Sequence, residues 1–439
     1  MAEGGFPVPP QARTDTTPIA DTAPPPAIVI GRGYTGLGAM RCLAMAGIPA
    51  YLACPPGDLA TRSRWYRPLP GVDGGMGWDG SFGASAIEAL RSLPLERAVL
   101  IAGADDACLW LSSLAERAPD LAARFPCSIA GLPALRILQD KQRLSRFLHR
   151  VGVPHPRTFP LRRIEDIDRI PFDRLDRVFL KPVDSQRFNR IVGHKGLWPS
   201  DRDDCKALWQ RLDAQGLATV AQEYVPGGPD SHWFIDGFRD RDGVMRGLFA
   251  RRRHRIFPAD FGNSSYCESV PLPQVDDALA SLQRVLERLR YRGIFSAEFK
   301  RDPRDGRFLL LEINTRAWWY VEFAARCGVN VCEMAWRDAQ GLPMTSAVRE
   351  YLAGVGCTSL LGDLRAVLAE TRGARTPRWR VLRQWLGSHL HAFRWDDPVP
   401  GLSLCWQFVR DRFRRPVAAP ARVSRRLVRA STGTTAGKL

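Results

Sequence analysis

Apolar residues in this chain fall in short runs whose spacing changes along its length, and those changes mark its elements. Residues 27–30 form a wholly apolar run after Pro24-Pro25-Pro26. Gly31-Arg32-Gly33-Tyr34-Thr35-Gly36 and a helical pattern through Ala46 follow. Similar runs at 50–53 and 98–102, with helical patterns continuing to about residue 130, predict a parallel sheet with crossing helices. The glycine-rich stretch 71–83 predicts a loop. Residues 138–141 read as helix. The runs 178–180 and 220–225 read as strands, ending at Lys181-Pro182 and Pro226-Gly227-Gly228. Residues 247–258 predict another strand and 276–290 an amphipathic helix.

The sharpest pattern lies at 294–316. Two apolar-rich runs, 294–299 and 308–313, flank Asp302-Pro303-Arg304-Asp305-Gly306, and Asp-Gly in that position is a hairpin signal. A period of two places Glu312 and Asn314 on one face of their strand, and an antiparallel partner brings Glu298 beside them. Two carboxylates and a carboxamide oxygen make a hard donor set, suited to Mg²⁺ (or Mn²⁺) that shares a nucleotide's phosphates. Arg316 falls on the same side, where it can meet an anion. A solvated charged hairpin is the alternative.

Upstream residues take on meaning beside that hairpin. Lys141 and Lys181 are phosphate contacts or solvated lysines. The strand Gln222-Glu223-Tyr224-Val225 can offer backbone groups to a base and Asp230 a carboxylate to a ribose, or these are turn residues. Arg251, Arg253 and Arg255 alternate onto one strand face. That face either neutralises phosphates or a substrate carboxylate, or is a solvated or RNA-facing patch. The turn Gly31–Gly36 has the G-x-G-x-x-G spacing of a dinucleotide site. However, the next strand ends at Cys54-Pro55-Pro56, without the acid that would hold a ribose, so the turn can equally serve packing.

Composition narrows the classes. At 439 residues, 45% apolar and 25% charged, the chain is a globular protein of two or three domains. No run approaches the ~20 apolar residues of a membrane span. Residues 1–26, rich in Pro, Thr and Ala, read as a disordered tail and not a secretory signal. The ten cysteines are scattered without a Cys-x-x-Cys pair, which predicts reduced, mostly buried thiols in a cytoplasmic protein. The net charge of +17 is uneven, since residues 410–439 alone carry +8, so a nucleic-acid partner is not required.

Taken in order, Asp140-Lys141, Lys181-Pro182, Gln222-Glu223-Tyr224-Val225 with Asp230, and Glu298 with Glu312-Ile313-Asn314-Thr315-Arg316 resemble the ATP-grasp superfamily. The likeness runs from about residue 27 to 341. Within the superfamily it is to the carboxylate–amine ligase branch, near the D-aspartate ligase-like proteins and more distantly carbamoyl-phosphate synthase-type enzymes. It implies an α/β and α+β fold. A Rossmann-like domain (27–130) would precede a two-lobed ATP-grasp domain (131–345, lobes about 131–220 and 221–345). A helical basic extension (346–415) and a basic tail (416–439) would follow.

The resemblance also implies roles. Lys141, Lys181, Ser185, Gln222, Glu223, Tyr224, Val225 and Asp230 would hold ATP, and Glu298, Glu312 and Asn314 would hold Mg²⁺ (or Mn²⁺). Arg316, Arg253 and Arg255 would be catalytic. The activity implied is ADP-forming amide synthesis from a small carboxylate and an amine through an acyl phosphate. An ATP-binding scaffold without turnover and an NAD(P)-dependent oxidoreductase are the other readings. The loop after Lys181 has glycine only at Gly193 and Gly196, fewer than a loop closing over phosphates usually carries.

In the extension, residues 360–370 and 379–393 read as helices and 395–400 as a turn. Residues 402–413 read as a helix with Leu404, Phe408 and Val409 on its apolar side, flanked by Arg410, Arg412, Arg414 and Arg415. This region either packs on the preceding domain or makes a weak peripheral contact with anionic membrane at its inner face.

Overall fold

A computed structural model describes residues 24–72, 82–183, 188, 191–192, 196–259, 262–344, 347–369 and 376–413. Strands β1 (Ala27–Ile30), β2 (Ala50–Ala53) and β3 (Val99–Ala102) form a parallel sheet in the order β2-β1-β3. Helices cover both of its faces, so the strands read as continuous apolar runs with no alternation. Helix α1 (Gly33–Met45) crosses from β1 to β2, α2 (Ala84–Ser92) precedes β3, and α3 (Asp105–Arg117) and α4 (Pro119–Arg124) follow it.

The glycine turn after β1 serves close packing. A side chain at Gly31 would meet the Gly103 backbone at 3.3 Å, and one at Gly36 would meet the Gly31 carbonyl carbon at 3.0 Å. The Gly33 N–H donates to both carboxylate oxygens of Asp58 at 2.9 Å. A protein carboxylate therefore stands where a dinucleotide's pyrophosphate would accept, which removes support from the oxidoreductase reading.

The helix expected across 138–141 is two helices. After α5 (Leu132–Gln139) the chain extends at Asp140, whose Oδ1 accepts from the Gln142 and Arg143 N–H groups at 2.9 Å and so caps α6 (Lys141–Arg150). An Asp side chain competes for backbone donors in this way and starts helices more readily than it continues them.

Strands β4 (Thr158–Pro160), β5 (Val178–Pro182) and β6 (Thr219–Glu223) form an antiparallel sheet in the order β4-β6-β5, with α7 (Arg202–Asp213) beside it. Its core, which includes Ile167, Leu180, Phe188, Trp209 and Ala221, is its own.

The largest sheet has seven strands. These are β7 (His232–Arg239), β8 (Met245–Phe257), β9 (Asn263–Val270), β10 (Gly293–Arg301), β11 (Phe308–Asn314), β12 (Gly356–Thr358) and β13 (Ser388–Leu390), in the order β11-β10-β7-β8-β9-β12-β13. Helix α8 (Asp276–Arg288) links β9 to β10, and α9 (Val321–Arg326) and α10 (Val331–Ala339) follow β11. Ile28 and Leu100 share one core with Ile235, Phe295 and Phe299, and Val29 and Leu37 another with Phe249 and Phe323. The parallel sheet and the seven-stranded sheet are thus packed as one body, against which the small three-stranded lobe is a separate unit.

The C-terminal region is mixed, not helical throughout. Helices α11 (Leu360–Ala369), α12 (Arg378–Leu386) and α13 (Val399–Phe413) accompany the last two strands of the sheet, β12 and the edge strand β13, which pair in parallel. The expected helix 379–393 ends at Leu386, capped by Gly387, and the chain then enters β13. This region packs on the preceding domains, which leaves the membrane contact of its outer faces open to proposal. Buried Arg41 of α1 pairs with Glu322 at 3.0 Å and Asp397 at 2.8 Å, so one cation joins the first domain, α9 and the extension. Among the described residues the cysteines are free, and all but Cys127 and Cys405 are buried.

Candidate functional site

The expected hairpin forms. The Asp302 N–H donates to the Arg307 carbonyl at 2.9 Å, Gly306 takes the left-handed turn conformation at φ 75°, and the strands pair with Glu298 opposite Glu312 and Ser296 opposite Asn314. Directly opposed residues share a face, so the two carboxylates and the carboxamide lie together. A bulge after Glu298 ends that regular pairing.

Glu298 is held by basic side chains. Its Oε1 lies 2.7 Å from His232 Nδ1 and 3.2 Å from Arg253 Nη2. Burial works to raise its pKa, but Arg253, the His232 bond and Lys181 hold the carboxyl well below its ordinary range. Glu312 is more open, with 41% of its side chain exposed, and its Oε2 lies 4.0 Å from Lys181 Nζ. Lys181 comes from β5 of the small lobe, so this contact crosses the cleft between lobes. Asn314 Oδ1 accepts from Arg316 Nη2 at 3.3 Å. Arg316 is in turn held at 2.9 Å by Asp105, the first residue of α3, and donates to the Ala317 carbonyl at 3.0 Å.

The three arginines of β8 do share a buried face, exposed by only 3%, 6% and 6% for Arg251, Arg253 and Arg255, which rules out a solvated patch. Their tasks differ. Arg253 donates from Nε to Ser264 Oγ at 2.9 Å and pairs with Glu298, which places it at the acidic cluster. Arg251 pairs with buried Asp236 at 2.7 Å and lies over the Phe234 ring. Arg255 is not brought to the cluster. Its guanidinium is bound by Asp363 at 2.9 and 2.6 Å and by Gln384 at 2.7 Å, so it anchors the C-terminal region.

The segment linking the lobes is partly committed to the sheet. Gln222 Nε2 donates to Thr158 Oγ1 at 2.9 Å, and the Glu223 and Tyr224 N–H groups donate to the Arg157 and Arg177 carbonyls. The Glu223 carboxylate accepts from Arg304 at 3.2 Å, and Val225 is buried. Asp230, beyond the turn, pairs with Arg252 at 3.1 Å and remains half exposed. Lys141 opens α6, which packs against β4. Ser185 and most of the loop after Val183 lie outside the described residues.

Two residues of the cluster were not singled out from the sequence. Lys300 lies opposite His232 in the β7–β10 register, and its ammonium sits 4.3 Å over the Tyr224 ring. Burial, with Arg253 adding to it, lowers its pKa to about 8 against the pull of Glu298 and Asp302. The period of two that places Glu298 in the cleft also points to Lys300. His232, the first residue of β7, has no such signal. Burial lowers its pKa, while the Glu298 bond opposes that.

Among the described residues no three acidic, histidine or cysteine side chains converge as a ready-made metal cage. The oxygen set of Glu298, Glu312 and Asn314 is instead an open one. It fits a hard cation that completes its shell with phosphate oxygens and water.

No protein-family profile matches the chain. Over 240 residues it is 22% identical to the D-aspartate ligase of Enterococcus faecium, a match that covers 51% of this chain and 55% of that one, so it spans little more than half of the relative. The structure is similar to a biotin carboxylase–βγ-ATP complex from Campylobacter jejuni, at a TM-score of 0.57 and 15% identity, over 75% of this chain and 74% of the other. It is also similar to the L-amino acid ligase of Bacillus licheniformis, at a TM-score of 0.52 and 14% identity, over 78% of each chain. The likenesses show an ATP-grasp fold preceded by a parallel α/β domain.

Proposed function

We propose that this chain is an ATP- and Mg²⁺-dependent ligase that activates a carboxylate as an acyl phosphate and joins it to an amine. The observation that carries the reading is the meeting of Glu298, Glu312 and Asn314 on one hairpin with Lys181 of the opposite lobe, 4.0 Å from Glu312. The D-aspartate ligase and L-amino acid ligase among the similar proteins support the same chemistry.

Glu298, Glu312 and Asn314 would hold Mg²⁺ (or Mn²⁺), which supplies charge neutralisation and Lewis acidity at the polyphosphate. Lys141 and Lys181 bind its phosphates, the 222–225 segment the base, and Asp230 the ribose. A carboxylate oxygen of the substrate attacks the γ-phosphorus, the bond to the bridging oxygen breaks, and ADP leaves. The amine nitrogen then attacks the acyl carbon, phosphate departs and the nitrogen loses a proton, leaving an amide. Arg253, fixed between Ser264 and Glu298, offers a positioned cation to the transferred group without reorganising. Arg316 aligns Asn314 from its anchor on Asp105. A peripheral contact of the arginine-rich C terminus with anionic membrane is a separate proposal, supported by composition.

A nucleotide-binding scaffold is the second reading, favoured by the pairing of Glu298 with Arg253 and His232. ADP release, measured over a panel of carboxylates and amines, separates the two. The panel begins with D-aspartate and L-amino acids, the substrates named in the similar proteins. ADP formed only when both acid and amine are present supports the ligase. Nucleotide binding without ADP release from any pair supports the scaffold and overturns the ligase.

A further inference from the structure

The C-terminal helices turn apolar residues outward. Along α13, Val399, Leu402, Trp406 and Val409 recur at the spacing of one helical face and are 50%, 56%, 66% and 43% exposed. Gly401 and Ser403, between them, are buried, and the helix packs on the 59–62 turn of the first domain. The expected apolar side, Leu404 with Phe408, is the partly covered one. Helix α12 repeats the arrangement, with Trp379, Leu382 and Leu386 exposed by 67%, 55% and 80%, while Val381 is buried and Trp385 Nε1 donates to Asp363 at 2.7 Å. Trp395, in the turn before α13, is 92% exposed. A surface helix normally buries such a stripe, and contiguous exposed apolar residues mark a binding surface.

The charges beside these stripes select the occupant. Helix α12 carries Arg378, Arg380 and Arg383 and no acid, and the sequence after Phe413, residues 414–439, holds six arginines and one lysine with no acid. Two copies of so cationic a face repel each other. Tryptophan with leucine and flanking arginines matches the boundary between lipid headgroups and acyl chains. Among the described residues no helix is long and apolar enough to cross a membrane. The 15 described residues of α13 measure ~22 Å, against a hydrocarbon core of ~30 Å.

We propose that the outward faces of α13 and α12 dock on an anionic lipid bilayer. Leu402, Trp406, Trp379 and Leu382 enter the interface, and Arg378, Arg380 and Arg383 lie against headgroup phosphates. This gives the electrostatic attraction a defined apolar footprint, and it stands independently of the ligase chemistry.

The test is co-sedimentation of the full-length protein with phosphatidylglycerol or phosphatidylcholine vesicles at about 0.1 M and about 1 M salt, where the screening length falls from ~10 Å to ~3 Å. The expected result is binding to the anionic vesicles alone, weakened by salt. In Leu402→Ser/Trp406→Ser it should be lower by about tenfold or more, because less apolar area leaves water at the interface. These side chains are exposed, so the thermal midpoint of that variant should match the wild type. Absence of binding to anionic vesicles at low salt overturns the proposal. So does binding that survives the double substitution but is lost when residues 414–439 are removed, which would assign it to the tail alone. A concentration-dependent dimer, or capture by an acidic protein in place of vesicles, that the double substitution abolishes would assign the face to that partner and overturn it as well.

Discussion

The ammonium of Lys300 lies between the Tyr224 ring and the cations around Glu298, in the cleft where the proposed nucleotide sits. With its pKa lowered to about 8, it is charged at neutral pH and loses its proton within an accessible range. Mg–ATP affinity should fall as pH rises through about 8, and Lys300→Met should abolish this limb at a loss of about tenfold in affinity at pH 7. Folding responds with the opposite sign. A lysine with a depressed pKa opposes folding while protonated, and the penalty is relieved as pH rises from about 8 toward 10.5, so Lys300→Met should raise the thermal midpoint at neutral pH. Calorimetric titrations and melts across pH check both, and a parallel pH profile in the variant would exclude Lys300 from binding. At this scale the hairpin residues were legible because register follows from a period of two and an Asp-Gly turn. Arg255 was not, since its carboxylate partner, Asp363, lies 108 residues away with nothing local to announce it.

His391 shows how an element of the extension joins the two domains before it. Its ring stacks between Tyr34, 4.5 Å away beside the glycine turn, and Tyr320, also at 4.5 Å, just before α9. Nδ1 accepts from Trp319 Nε1 and Nε2 donates to the Trp319 carbonyl, both at 2.6 Å, which fixes a neutral imidazole. Burial, with Arg41 and Arg251 nearby, lowers its pKa from 6.5 to about 3, against the Trp319 bond. The unfolded chain therefore takes up a proton that the folded one refuses, and stability is lost as pH falls from about 6.5 toward 3. His391→Phe keeps the stack and removes the titration, so its acid unfolding midpoint should move to lower pH. An unchanged midpoint would show that the carboxylates alone set acid stability. The strands of the parallel sheet were legible to within a residue because burial on both faces gives unbroken apolar runs. Strand β13 was hidden, because three residues after a helix become a strand only through pairing with β12, which is distant in the chain.

On the scale of the whole molecule, two packed bodies face each other. The α/β domain and the seven-stranded sheet share their cores, and the small lobe keeps its own. Lys181 is carried by the smaller body and Glu312 by the larger, so closing the cleft would bring the proposed phosphate-binding and metal-binding groups together. The order of motifs made the two-lobed plan legible in the sequence. The continuity of the cores and the buried Arg41 pairing were not, because they join residues hundreds of positions apart. The most direct test of the chemistry follows one oxygen atom. With a carboxylate that supports turnover, labelled with heavy oxygen, label should appear in the released phosphate, because the phosphate that the amine displaces from the acyl carbon leaves with a former carboxylate oxygen. Glu312→Gln should lower that transfer by orders of magnitude while the thermal midpoint holds. Amide formed with unlabelled phosphate, or transfer undiminished in Glu312→Gln, would contradict the acyl phosphate route or the place of the hairpin in it.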